Sequence, residues 1–246
     1  MKSFGMTDKG AVRANNEDCF LIEKCPTRDC LVLGLCDGMG GARSGELASS
    51  LAVKAFVNRV YERLNTPERR RFDYHRLLQE ACDEANGAAY TYSHFSEEYE
   101  GMGTTLVGGV IKNRGNGYII NVGDSRAYLI SRRGIRQITR DHSLVEDLVE
   151  MGAITRDQAR THPRRNVITR ALGSPEPVEG DIFEFTLQPG EVLLLCSDGL
   201  SNTVEDEQLQ QICLEEKTAE AICSRLMQLA LNRGASDNVT MIAVKR

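Results

Sequence analysis

Aspartates stand where apolar, strand-like runs meet glycine or a turn. Asp37 follows Leu31-Val32-Leu33-Gly34-Leu35-Cys36 and precedes Gly38-Met39-Gly40-Gly41, and Asp198 follows Val192-Leu193-Leu194-Leu195-Cys196 and precedes Gly199. Asp124 comes after the run from Gly117 to Gly123 and before Ser125, Asp237 opens the last strand-like run, and Glu17-Asp18 open an early one. One such aspartate commonly serves turn chemistry alone. Several at one edge of a core repel each other and need a counter-charge, which hard divalent cations with oxygen ligands supply, so Mg²⁺ or Mn²⁺ is expected. Gly38, lacking Cβ, lets the main chain approach closely and offer its carbonyl. With no obvious histidine ligand, the set suits two metals about 3.5–4 Å apart, a pair that generates a hydroxide and clamps a phosphoryl group for in-line displacement.

Covalent alternatives lack their residues. No cysteine has an arginine six positions later, and there is no Asp-x-Asp, no G-x-x-x-x-G-K-[ST] loop and no G-x-S-x-G elbow. Asp73-Tyr74-His75 resembles one metallophosphatase element but falls in a helical stretch with no Gly-Asn-His element after it. Cys25 and Cys30 flank Pro26 without a second Cys or His pair at zinc-finger spacing, so a structural zinc is disfavoured.

The elements that must position these residues follow from periodicity. Cys19 to Glu23, Leu31 to Cys36, Thr104 to Ile111, Gly117 to Val122, Ala127 to Ile130, Ile182 to Leu187, Val192 to Cys196 and Val239 to Val244 read as strands. Leu47, Leu51, Ala55, Phe56 and Val60 share one helical face, Thr66-Pro67 fits an N-cap with proline at N1, and a second amphipathic stretch runs from about Tyr74 toward Tyr92. Ser143 to Glu146 and Thr155 to Gln158 match capping boxes, and helices are expected at Glu205 to Leu214 and Ala219 to Asn232. Strands and helices in blocks, without regular βαβ alternation, favour an α+β fold of antiparallel sheets covered by helices.

The 246 residues carry 30 Lys and Arg against 35 Asp and Glu, a net charge of −5, which argues against nucleic-acid or anionic-lipid binding. No linker or repeat divides the chain, so a single domain over 1–246 is expected. No apolar run reaches the roughly 18 to 20 residues of a membrane span. A soluble, cytoplasmic, monomeric protein is expected, with its eight cysteines as small buried hydrophobes. Arg69-Arg70-Arg71 reads as a solvated face, and His142 and His162 as structural loop histidines.

Eight short blocks, in order, resemble the metal-dependent serine/threonine protein phosphatases of type 2C in their compact bacterial form. They are Arg13-Ala14-Asn15-Asn16-Glu17-Asp18, Asp37 to Gly41, Gly103-Thr104-Thr105, Val122 to Ala127, Asp141-His142-Ser143, Asn166 to Gly173, Ser197 to Leu200 and Ser236 to Thr240. The resemblance implies a four-layer αββα sandwich, two stacked antiparallel sheets flanked by helices on both faces, with the site at one end. It implies two divalent cations, Mn²⁺ or Mg²⁺: Asp37 bridges them, Gly38 offers its carbonyl to the first, and Asp198 and Asp237 hold the second. Asp124, with Asp198, resembles the ligands of a third, weaker ion. Glu17, Asp18 and Asn238 stand behind these ligands, Glu17 and Asp18 holding metal-bound water and orienting the nucleophile. Arg13 matches the phosphate-binding arginine.

The implied reaction is hydrolysis of phosphoserine and phosphothreonine on proteins by direct attack of a metal-bridging hydroxide, opposing a bacterial serine/threonine kinase. A flap at about 143–171, braced by Asn166 and Arg170, would steer substrates. Many eukaryotic members carry a histidine after the Asp-Gly where this chain has Met39. A thioether is no acid, so the resemblance implies that a metal-held water protonates the leaving oxygen.

Overall fold

The computed structural model describes residues 1–40, 44–66 and 72–246. Gly41, Pro67 and Arg69, Arg70 and Arg71, singled out above, lie outside the described residues. Two antiparallel sheets form the centre. One orders β1 (Lys2–Asp8), β11 (Val239–Lys245), β10 (Val192–Cys196), β7 (Arg126–Ser131) and β8 (Gly134–Gln137). The other orders β2 (Asp18–Cys25), β3 (Cys30–Met39), β5 (Leu106–Lys112), β6 (Asn116–Val122) and β9 (Asp181–Thr186), with the short β4 (Gly103–Thr104) paired to the end of β3.

The apolar runs are continuous because both faces of their strands are buried. On β3, Leu31, Leu33 and Leu35 meet Leu193, Leu195, Ile242 and Val244 of the facing sheet. Val32 and Cys36 point the other way, against Val53, Phe56 and Val60 of α1 (Ser44–Asn65) and Leu77 and Leu78 of α2 (Tyr74–Ser93). β10 does the same in mirror image. Its Val192, Leu194 and Cys196 pack on Leu209 and Ile212 of α6 (Asp206–Glu215) and Ile222 and Leu226 of α7 (Ala219–Asn232). Four layers thus enclose three apolar interiors, in which each fully buried Leu, Ile or Phe contributes about 1.5–3 kcal/mol.

Local signals hold with three differences. The Thr66 amide and hydroxyl both donate to Glu62 at the end of α1, and α2 is capped by Asp73, whose side chain accepts from the Arg76 amide, while Pro67 of the expected Thr66-Pro67 cap lies outside the described residues. Ser143 caps α3 (Leu144–Glu150) by accepting from the Glu146 amide, but the Glu146 side chain binds Arg156 instead of closing the box. Thr155 and Gln158 form the full box at α4 (Arg156–Arg160). Third, β1 and β8 are strands that periodicity does not mark. In β1 only Phe4 and Met6 pack on the apolar layer, and Gly5 interrupts the alternation. Cys25 and Cys30 face each other across β2 and β3, and all eight cysteines are free thiols.

Candidate active site

The site opens at the end of the sandwich where β3 outruns the apolar core. Asp37 and Gly38 lie within β3, not past its end, because the strand continues to Met39 by pairing Gly38 with Thr104 and Met39 with Gly103. Across the other edge, Asp18 is the direct partner of Asp37. Asp124 occupies the turn between β6 and β7, Asp198 begins the short helix α5 (Asp198–Ser201) after β10, and Asp237 lies two residues before β11. Strands from both sheets therefore deliver their carboxylates to one cleft of about 380 Å³, lined by Arg13, Glu17, Asp37, Gly38, Asp124, Asp198 and Asp237 among others. Asp18 and Asn238 do not line it and stand behind the wall.

Polar contacts fix the ligands' backbones. The Asp37 amide donates to Thr105 Oγ1 at 3.0 Å, the Asp37 carbonyl accepts from the Thr105 amide at 2.9 Å, and Thr105 Oγ1 is 2.7 Å from Ser125 Oγ beside Asp124. Ser197 Oγ donates to Asp18 Oδ2 at 2.8 Å and accepts from the Thr240 amide at 3.0 Å. Asn238 pins the loop that carries Arg13: its Oδ1 accepts from the Glu17 amide at 2.8 Å, while its Nδ2 donates to the Lys9 and Asn15 carbonyls, each at 2.9 Å. Thr105 and Ser197 are functional positions that the sequence reading left without a role. Their signal was present, since each adjoins a candidate carboxylate or a short Gly-containing block.

Electrostatics mark the cleft. Burial first, then hydrogen bonds from Thr240 and Ser197 that oppose it and repulsion from Asp198 and Asp237, push Asp18 up to about 7. Burial and then Asp198 and Asp141 push Asp124 up to about 8, and burial and then Asp237 push Asp198 up to about 6. Asp37 is raised well above the ordinary carboxylate range by burial and by Asp18, Asp198, Asp124 and Asp237 around it. Desolvation leads at Glu17, also raised. Protein thus surrounds a group of carboxylates too closely for all to ionise without a counter-charge.

Three observations fit hard cations. The donors are all oxygens. Asp18 Oδ1 is buried with no hydrogen-bond partner. A Cβ at Gly38 would stand 2.1 Å from the Gly45 carbonyl oxygen, so side-chain-free backbone is required beside Asp37. Among the described residues no three His, Cys, Asp or Glu side chains are closed around one point. At the mouth, Arg13 Nη2 lies 2.7 Å from Asp237 Oδ2 with its side chain half exposed. Along the flap side, Asn166 and Ile168 reach the cleft wall, while Arg170 turns away to Asp181 and the Glu179 carbonyl. Among the described residues no histidine lines the cleft. His142 is buried behind it, and His162 accepts from the Arg164 amide within the flap segment.

A sheet sandwich with oxygen donors gathered at one end and an arginine at the mouth is the architecture of a metal-dependent hydrolase of phosphate esters. The sequence matches the family described as Protein phosphatase 2C over residues 3–239. It is 37% identical over 242 residues to the serine/threonine phosphatase stp of Listeria monocytogenes serotype 4b, covering 98% of this chain and 94% of that protein. The fold is similar to crystal structures of the serine/threonine phosphatase Stp1 from Staphylococcus aureus (TM-score 0.91, 38% identity, 100% of this chain and 95% of that one) and of the catalytic domain of the phosphatase PstP in complex with 2 manganese ions (TM-score 0.84, 34% identity, 98% and 96%). The chain belongs to the protein phosphatase 2C family.

Proposed function

We propose that the protein is a metal-dependent serine/threonine phosphoprotein phosphatase whose reaction takes place in the carboxylate cleft. The observation that carries this reading is the convergence of Asp37, Asp198, Asp237 and Asp124 on one opening with Arg13 at its rim. Asp37, the Gly38 carbonyl, Asp198 and Asp237 would hold two divalent cations, Mn²⁺ or Mg²⁺, and Asp124 with Asp198 a third, weaker one. When bound, such ions supply Lewis acidity and a water of lowered pKa.

The chain's own groups do the rest. Arg13, at the rim beside Asp237, would offer a planar pair of donors to the phosphate dianion. Asp18 accepts a proton from water at the back of the cleft, its unpartnered Oδ1 aimed at no other protein group. Glu17 shares that task, and Asn238 keeps the Arg13 loop in reach. Met39 lines the cleft but supplies no acid, so the leaving oxygen takes its proton from solvent held there.

Residues 143–171 form the flap beside the cleft of a single domain spanning 1–246, and phosphoproteins carrying serine or threonine phosphate are its substrates, supplied by a cognate serine/threonine kinase. No helix among the described residues is long and apolar enough to cross a membrane; the enzyme is proposed to be cytoplasmic and monomeric. Phosphate release from a phosphothreonine peptide should require Mn²⁺ or Mg²⁺ and vanish in Asp37→Asn. Metal-independent release, or an equally active Asp37→Asn protein, would refute it.

A further inference from the structure

We propose that His142 is a positioning residue, whose ring holds the turn carrying Asp124 in register with the base of the flap. Its kinetic consequence rests on the functional reading above, whereas the clamp itself does not. His142 is only 5% exposed, and it grips one residue twice. Its amide donates to the Gly123 carbonyl at 2.9 Å, and its Nδ1 accepts from the Gly123 amide at 3.2 Å. Gly123 has φ of +100°, and a Cβ there would stand 2.6 Å from Thr105 Cγ2, so this turn occupies a conformation that residues with a side chain rarely adopt; Asn121 Nδ2 also donates to the Gly123 carbonyl, at 3.0 Å.

The residue before His142 grips the other flank of Asp124. Asp141 accepts from Arg126 at 2.7 Å and from Gln137 at 2.7 Å. Asp141-His142 thus brackets Gly123-Asp124-Ser125-Arg126, in which Ser125 Oγ also meets Thr105 Oγ1. His142 also carries the flap. Its carbonyl accepts from the Thr169 amide at 2.8 Å, and the adjacent Ser143 bridges Ile168, which closes the two ends of the flap on each other. Its Nε2 lies 3.3 Å from Asp181 Oδ2, without hydrogen-bond alignment, and Arg170 holds Asp181 from the other side at 2.9 Å.

The ring of His142 therefore holds the Asp124 turn while its backbone and that of Ser143 join the two flap ends, with Nε2 facing Asp181 of β9. Burial lowers its pKa against the opposing pull of Asp181, which favours the neutral ring whose Nδ1 can accept. A histidine that merely filled space would need neither acceptor nor partner on the turn. Removing the acceptor loosens Asp124, and through it the cation site.

Three substitutions separate the parts of the ring. In His142→Asn an amide oxygen can stand near the place of Nδ1, His142→Gln can offer its amide only near Nε2, and His142→Ala offers neither. Gly123 amide exchange in metal-free protein and kcat and KM for a small aryl phosphate with Mn²⁺ are the readouts. In wild-type protein a scalar coupling across the Gly123 N–H···Nδ1 bond is expected. Ala and Gln should speed Gly123 exchange and lower kcat by about 10-fold with KM nearly unchanged, the lower range for groups supporting metal ligands. Asn should restore both to within about 3-fold, and His142→Ala should add nothing to Asp124→Asn, since coupled groups are not additive.

Absence of the coupling, unchanged Gly123 exchange in the Ala variant, Asn no better than Gln, or full additivity with Asp124→Asn would each overturn the proposal. The wild-type coupling decides it even if the Ala and Gln variants do not fold. An inactive wild-type protein that shows the coupling would refute the phosphatase reading and support the clamp.

Discussion

Loading the cleft with Mn²⁺ should expel protons, and their number follows from the carboxylates. At pH 7 Asp18, pushed up to about 7, is about half protonated; Asp124, at about 8, about nine-tenths; Asp198, at about 6, about one-tenth. Asp37 is raised well above the ordinary carboxylate range by burial and four neighbouring carboxylates. Cation ligands must be carboxylates, and Asp18 beside them ionises as repulsion is relieved, so Asp18, Asp124 and Asp198 together should release about 1.5 protons on loading at pH 7. At pH 9 Asp18, Asp124 and Asp198 are almost fully ionised already, and their contribution to the count should fall close to zero. Calorimetric titration of metal-free protein with Mn²⁺ in buffers of different ionisation enthalpy reads the number directly. Release of fewer than about 0.5 protons at pH 7, or a count that does not fall by pH 9, would mean that the cluster tolerates full ionisation without cations, and the electrostatic reasoning would fail.

The same carboxylates set stability. A raised carboxylate pKa means that the folded state holds protons more tightly than the unfolded chain, so metal-free protein should lose stability as pH rises from about 4 to 8, with Asp18 alone costing about 4 kcal/mol across that span. Urea titrations should show that decline in chelator and a flatter profile with Mn²⁺. Asp18→Asn should raise metal-free stability at pH 8 yet lower kcat at least about 100-fold, a split that loss of folding alone cannot produce. Arg13→Ala should raise KM for a phosphopeptide by about 10- to 100-fold, the value of a charge-assisted hydrogen bond, and Arg13→Lys should recover only part; an unchanged KM would remove Arg13 from phosphate binding. Gly38→Ala, with its Cβ 2.1 Å from the Gly45 oxygen, should cost more than about 2 kcal/mol in urea.

Much of this site is legible in the chain because its chemistry sits on apolar strands. Leu31 to Cys36 and Val192 to Cys196 announce themselves by burial on both faces, and the aspartates after them share one end of the sandwich. What periodicity cannot carry is the cross-strand register that sets Asp18 opposite Asp37, since that depends on pairing over the whole of β2 and β3. Nor can it find β1, where Gly5 breaks the alternation, or the true cap of α2, since Asp73 lies well past the more conspicuous Thr66-Pro67. His142 shows the converse. A lone loop histidine has no local signature, and its role emerges only when Gly123 comes within reach of its ring.

Anomalous diffraction at the manganese edge from Mn²⁺-soaked crystals tests the central claim most directly. Two peaks within coordination distance of Asp37, the Gly38 carbonyl, Asp198 and Asp237 are predicted, with Arg13 freed from Asp237. No peak among these residues at saturating Mn²⁺, or ions bound only elsewhere on the surface, would contradict it.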